Sequence, residues 1–338
     1  MKEDKIKNIV INGFGRIGRI AFRELIGSDE YKVVAINSRS NPEELAYLLK
    51  YDTVHGRFNE ESITFNEEGL IVDGELIKTY IVNDAVNCPW KELEVDCVLE
   101  CTGAYTKEEK AYEHIKAGAK HVLLSAPGKG NIKTIVYGVN HEMLDGTEKI
   151  ISASSCTTNA LAPIIKIIND NYKIESGFMT TIHAYTNDQV TMDGTHSKGS
   201  KSRRGRAAAQ NIIPTSTGAA SSIGLIIPEV NGLLDGTSFR VPVINGSCLD
   251  LTLNLQKETT KEEVNQLIKN HSNEVLKLTL DPIVSSDIIG NSCGVLVDGL
   301  STKTLEANSK LLKIVAWYDN EYGYTAQMLR TMEVLLRK

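Results

Sequence analysis

The sequence predicts an α/β chain: a Rossmann-type doubly wound parallel sheet, followed by a second α+β catalytic domain with a mixed or antiparallel sheet. Three observations carry this. Short apolar runs alternate with helix-patterned stretches through the first half, as parallel strands joined by crossover helices do. A glycine turn, Gly13-Phe14-Gly15-Arg16-Ile17-Gly18, falls between the first strand and the first helix. The second half has longer runs rich in Val, Thr and Ile that partly alternate, the pattern of strands with one covered face. With 338 residues the chain has length for about two domains.

Taken in order, KNIVINGFG is a strand running into the turn, and RIGRIAFREL carries apolar residues at helical spacing. KVVAINS is a second strand. VDCVLECTG and KHVLLSAPG are two more buried strands, separated by the helical EEKAYEHIKAG. Lys149–Ala153 reads as a strand and the apolar Ala160–Ile168 as a helix, with SSCTTN at their junction. ESGFMTTIHAYT, SFRVPVING and SCLDLTLNLQ are the strands of the second domain. Between the first two lies Asp188–Arg206, polar, Gly/Ser-rich and strongly basic near its end. A loop of that length is a functional or interface element by base rates. AQMLRTMEVLLRK closes the chain with an amphipathic helix pattern.

Composition excludes several function classes. Lys and Arg number 37 against 43 Asp and Glu, a formal net charge of −6, which argues against nucleic acid or an anionic membrane as partner. The charged amino terminus runs straight into a strand with no signal-peptide core, and no stretch has the ~18 apolar residues of a membrane span, so a cytoplasmic location is expected. The six cysteines are sparse for a disulfide scaffold, and no CxxC pair has metal-site spacing, so no metal is expected. Cys97 and Cys101 lie in or beside an apolar run and read as small buried hydrophobes. Only Cys156 has neighbours that point to chemistry.

The glycine turn matches G-x-G-x-x-G in the context the motif requires. Gly13 permits the tight turn, Gly15 lets backbone approach a pyrophosphate, and Gly18 allows close helix–strand packing. The helix N-terminus adds N–H groups and a positive dipole end. A plain structural turn is the alternative reading. About 20 residues on, this type of site usually has a carboxylate for the adenosine ribose. Here Asn37-Ser38-Arg39-Ser40 stands instead. Ser38, Arg39 and Ser40 can donate to a 2′-phosphate. Equally, Arg39 can be solvated and Ser38 can cap the following helix.

Cys156 sits where a strand meets a helix N-terminus, a setting that lowers a thiol's pKa and supplies N–H donors for an oxyanion. Of seven histidines, His183 lies late in a strand beside a polar loop, a sensible place for a base facing a cleft. A satisfied core histidine is the alternative.

Together, INGFGRIGR, LLKYDTVHGRF, SASSCTTN, HAYTNDQ, RAAAQNIIPTSTGAA, RVPVING and WYDNEYGY resemble phosphorylating glyceraldehyde-3-phosphate dehydrogenase, in that family's order across nearly the whole chain. The resemblance implies that Cys156 attacks the aldehyde and that His183 activates it and serves as base while hydride leaves. A thioester then remains for inorganic phosphate to attack. It implies Thr186 and Arg240 for the substrate phosphate, and Ser155, Thr157, Thr217 and Gly218 for the attacking phosphate. Arg16 and Ile17 would lie over the pyrophosphate, Ser125 near the nicotinamide, and Asn320 on the nicotinamide amide. It also implies a homotetramer. The domains expected are 1–155 for the dinucleotide, completed by a carboxy-terminal helix at 319–338, and 156–318 for catalysis.

Three departures stand out. The family often has a second cysteine one helical turn after the nucleophile, and that position is Ala160. The loop Asp188–Arg206 is a few residues longer than the short bacterial form. Members that prefer NAD usually have Asp at position 38 and Pro at position 195, where this chain has Ser38 and Thr195. With Arg39, these changes lead us to expect NADP as the preferred cofactor and NAD as the second. The sister activity on erythrose 4-phosphate is the nearest rival enzyme. The intact Thr215-Ser216-Thr217-Gly218 run favours the phosphorylating reaction on glyceraldehyde 3-phosphate. A binding protein on a retired dehydrogenase fold is the rival from another class, and the Cys156/His183 pair speaks against it.

Overall fold

In the computed structural model, residues 5–197, 199 and 201–337 are described. Lys198 and Ser200 of the basic run therefore lie outside the described residues. The chain divides into two units. One holds the residues through Ile135, His141–Ser154 and those from Met328 onward; the other holds Val136–Asn140 and Ser155–Gln327.

The first unit is built on β1 (Lys7–Asn12), α1 (Arg16–Leu25), β2 (Tyr31–Asn37), α2 (Pro42–Lys50), the small ribbon β3 (Tyr51–Asp52) and β4 (Gly56–Arg57), β5 (Ile63–Asn66), β6 (Gly69–Val72), β7 (Glu75–Tyr80), β8 (Cys97–Glu100), α3 (Glu108–Lys116), β9 (His121–Leu124), β10 (Lys133–Thr134) and β11 (Ile150–Ser152). Nine strands form one sheet in the order β10-β11-β9-β8-β1-β2-β7-β6-β5. It is parallel from β10 to β7 and antiparallel through β6 and β5. The apolar runs read as strands became β1, β2, β8, β9 and β11. The β5–β7 meander was not read: its strands are short, and β5 and β7 are largely exposed, so the apolar signal is weak. From β1 the chain proceeds to β2 on one side and reaches β8 on the other. The sheet therefore has its topological switch point at the carboxyl ends of β1 and β8, where such sheets bind ligands.

The second unit contains α4 (Cys156–Tyr172), β12 (Ile174–Ala184), β13 (Ile213–Ser216), α5 (Ala219–Ser222), β14 (Leu234–Val241), β15 (Ser247–Leu255), α6 (Lys261–Asn270), β16 (Leu276–Thr279), β17 (Val295–Asp298), β18 (Lys303–Leu305) and β19 (Asn308–Tyr318), and it begins α7 (Tyr322–Arg337). Its eight-stranded mixed sheet runs β13-β14-β12-β15-β19-β17-β16, with β18 on β19. Strict alternation along β15 buries Leu249, Leu251, Leu253 and Leu255, the pattern of a sheet with one covered face. Leu161, Ile164, Ile165 and Ile168 of α4 share that core with Leu312, Ile314, Ala316 and Tyr318 of β19. This packing fixes the helix whose first residue is Cys156.

Candidate active site

The dinucleotide side is built at the switch point of the first unit. A groove of about 660 Å³ is lined by Gly13, Phe14 and Gly15 after β1, by Asn37 at the end of β2 with Ser38 and Arg39 after it, and by Cys101, Thr102 and Tyr105 after β8. The glycines fit the demand each was assigned. Gly13 has φ +96°, and a Cβ there would meet Thr102 at 2.8 Å. A Cβ on Gly18 would strike the Gly13 carbonyl at 2.1 Å, which is the close helix–strand approach. Gly15 opens onto free space, so its backbone is approachable by a bulky anion. Arg16 departs from expectation: its guanidinium pairs with Asp52, so what Arg16 and Ile17 hold toward the groove is the amino end of α1. Ser125 follows β9, half-buried, with its N–H on the Glu100 carbonyl at 3.0 Å.

The nucleophile side lies in the second unit. Ser154, with φ +61°, holds a left-handed conformation unusual for a side-chain-bearing residue at the turn before α4, a place where strain accompanies function. Ser155 caps the helix through its hydroxyl to the Thr158 N–H at 3.2 Å. Cys156 Sγ lies 3.4 Å from His183 Nε2. His183 Nδ1 is 2.7 Å from the Ala184 carbonyl, which accepts only a protonated nitrogen. The tautomer is thereby set, with the Nε2 lone pair facing the sulfur. Tyr318 packs edge-on against the imidazole, and its hydroxyl is held by Thr157 at 3.0 Å and Thr181 at 2.7 Å.

Electrostatics correct one expectation. Burial pushes the Cys156 thiol up, against the opposing pull of Arg240, the Thr157 hydroxyl and the N–H groups of Thr157 and Cys156. Burial, helped by Arg240, lowers His183 to about 3. Nε2 thus faces the sulfur as an acceptor for its proton. The N–H groups facing the sulfur remain as the stabilising donors. Cys88, Cys97 and Cys248 are pushed to about 12 by burial, and Cys101 is pushed up as well. Cys156 combines a facing base with a helix start.

Parallel register sets His183 of β12 directly beside Arg240 of β14. Arg240 Nη1 donates to the Thr186 hydroxyl at 2.8 Å and to the Ala184 carbonyl at 3.0 Å. Its Nε is buried without a protein partner, a donor that suits an anion. Asp188 accepts from both the Thr186 hydroxyl and Arg204. Asp188 and Arg204 were not assigned from sequence. Their signal was the charge within the long loop, but nothing in the spacing says which of its cations turns inward.

For the second anion position, Ser155 Oγ is 2.8 Å from Thr158 Oγ1, which lies 3.4 Å from Ser222 Oγ of α5. That chain ties Thr217 and Gly218, just before α5, to the start of α4. Thr217 accepts from the Ala219 N–H at 3.2 Å, and Gly218 is exposed. Thr157 differs from expectation: its hydroxyl is buried against Tyr318, so what it offers an anion is its N–H. Asn320 is buried, and its Oδ1 accepts from Ser247 at 2.7 Å, leaving the amide NH₂ as the donor.

Comparison with known proteins agrees with this geometry. Residues 155–320 match the family model described as glyceraldehyde 3-phosphate dehydrogenase, C-terminal domain, and residues 7–108 match its NAD binding domain. A glyceraldehyde-3-phosphate dehydrogenase of Clostridium pasteurianum is 52% identical over 326 residues, covering 96% of this chain and 97% of the relative. One of Streptococcus pyogenes is 49% identical over 330 residues, covering 97% and 98%.

These findings overturn the expected NADP preference. The matching model is one of NAD binding, and the relatives similar over nearly their whole length are glyceraldehyde-3-phosphate dehydrogenases. The structure gives the physical reason. Arg39 is exposed, where a guanidinium is screened and costly to order. Ser38 Oγ faces the Ser40 N–H at 3.5 Å, and Thr195 is exposed in its loop. Nor does Ser38 cap α2; Asn41 does, accepting from Glu44 N–H at 2.9 Å. Removing a carboxylate from position 38 relieves repulsion without building a phosphate pocket. On its matched domains and its near-full-length relatives, the chain belongs to the phosphorylating glyceraldehyde-3-phosphate dehydrogenase family.

Proposed function

We propose the following division of labour for the oxidation and phosphorylation of glyceraldehyde 3-phosphate through a Cys156 thioester. His183 Nε2 takes the thiol proton as sulfur attacks the aldehyde, and the N–H groups of Cys156 and Thr157 stabilise developing negative charge. His183 returns that proton to the alkoxide, giving the hemithioacetal, and, neutral again, takes the hydroxyl proton as the C–H bond breaks and hydride leaves. NAD, when bound, supplies the hydride acceptor. Arg240 and Thr186 hold the substrate phosphate, with Asp188 and Arg204 fixing the Thr186 hydroxyl. Ser155, the Thr157 N–H, Thr217 and Gly218 receive the phosphate that attacks the thioester. Gly13, Gly15, Gly18 and the start of α1 hold the pyrophosphate; Ser125 and Asn320 orient the nicotinamide.

The observation that carries this reading is the 3.4 Å Sγ–Nε2 contact with Nδ1 tied to the Ala184 carbonyl. Alkylation by iodoacetamide tests it. Activity should fall in proportion to modification of Cys156 alone, and acylation by substrate should protect. Near-wild-type turnover by Cys156→Ser removes the mechanism.

We also propose a cytoplasmic homotetramer. Phe178, Ile212 and Leu225 of the second unit are 71%, 68% and 69% exposed, apolar surface of the kind association covers. Among the described residues, no helix is long and apolar enough to cross a membrane. Light scattering that returned a monomer mass at micromolar concentration would remove the tetramer.

A further inference from the structure

We propose that a buried relay, Trp90–His114–Glu100, positions the dinucleotide groove, and that Glu100 must be a carboxylate for the groove to bind NAD. Glu100, Asn12 and Asn37 end three adjacent parallel strands in register, β8, β1 and β2. Glu100 is 2% exposed and accepts from four donors: Asn12 Nδ2 and His114 Nε2 on one oxygen, the Thr102 N–H and hydroxyl on the other. His114 is fully buried and stacked on Trp90 at 6.3 Å and 17°. The indole N–H can only donate, and it lies 3.0 Å from His114 Nδ1, so Nδ1 is unprotonated and Nε2 carries the hydrogen toward Glu100.

The relay's outputs line the groove. Asn12 Oδ1 accepts from Asn37 Nδ2 at 2.7 Å, so one side chain ties the β8 wall to the β2 wall across β1. Thr102 backs the glycine turn, and its N–H and hydroxyl are both spent on Glu100. Every contact to Glu100 is a donor. Glu100→Gln, nearly the same shape, therefore points an NH₂ at other donors on one side or the other. A buried mismatch of that kind is costly.

The inference rests on this groove being the NAD site, and calorimetric NAD titration without substrate separates the two. Glu100→Gln should raise the NAD dissociation constant about 10- to 100-fold. Turnover at saturating NAD, and Cys156 alkylation without NAD, should stay within about twofold. A second pair guards against a variant that fails to fold. His114→Gln keeps an acceptor for Trp90 and a donor for Glu100, and should bind NAD far better than His114→Leu. Trp90 emission should shift in His114→Leu and stay near wild type in His114→Gln. Unchanged NAD affinity in Glu100→Gln, or equal affinity in the two His114 variants, overturns the relay. If Gly15→Val also leaves NAD affinity unchanged, the groove assignment itself fails.

Discussion

His183 shows how far one hydrogen bond reaches. The Ala184 carbonyl fixes its tautomer, and burial keeps it neutral, so it acts on the thiol as an acceptor. His183→Asn should lower hydride transfer by about 10²–10⁴-fold, the range for a lost general base. It should also shift the pH profile of Cys156 alkylation, since Nε2 no longer faces the sulfur. An unmoved profile would separate the two residues. Arg240 is tested by its substrate. A charge-assisted contact is worth ~1.5–3 kcal/mol, so Arg240→Ala should harm the phosphorylated aldehyde far more than unphosphorylated glyceraldehyde. Equal losses in kcat/KM would take Arg240 out of that role. Side chains declared by local motif, such as Cys156 and Gly13, were legible in the sequence. Asp188 and Arg204 were not, because a loop's spacing does not say which of its charges meet. Arg39 lines the groove but is exposed, and a guanidinium of the right type in the right place in the chain does not by itself set the cofactor.

Elements position these groups, and their ends carry most of the chemistry. α4 was legible because an apolar run follows a hydroxyl-rich cap, and Ser155→Ala should cost about 1 kcal/mol in unfolding free energy. β12 and β14 were legible as strands, but their parallel register, which sets His183 beside Arg240, is long-range information that neither run contains. In the first unit, Asp52 of the β3–β4 ribbon pairs with Arg16 at the start of α1. Burial alone would raise its carboxyl. The hydrogen bonds from Arg16 and from the His55 and Val54 N–H groups outweigh that and hold it at about 2, below its ordinary 3.8. A depressed carboxyl stabilises the fold above its unfolded pKa and loses that contribution as pH falls toward its folded one. Asp52 should therefore help hold the fold above about pH 4 and cease to do so near pH 2. Tm measured from pH 5 to 2.5 should fall more steeply in wild type than in Asp52→Asn. Parallel curves would deny Asp52 that share.

At the scale of the molecule, the two units divide the proposed work: one carries the groove proposed for the dinucleotide, the other Cys156, His183 and the proposed anion ligands. A thioester keeps the energy of aldehyde oxidation in a form that phosphate can capture, so oxidation and phosphorylation are separable in time. The most direct test is a rapid-mixing experiment with stoichiometric enzyme, NAD and glyceraldehyde 3-phosphate, first without inorganic phosphate. Wild type should release a burst of NADH equal to the Cys156 content, then nearly stop, and resume steady turnover when phosphate is added, while Cys156→Ser gives no burst. Continuous NADH formation at the full rate without phosphate, or a burst that survives Cys156→Ser, would contradict the account.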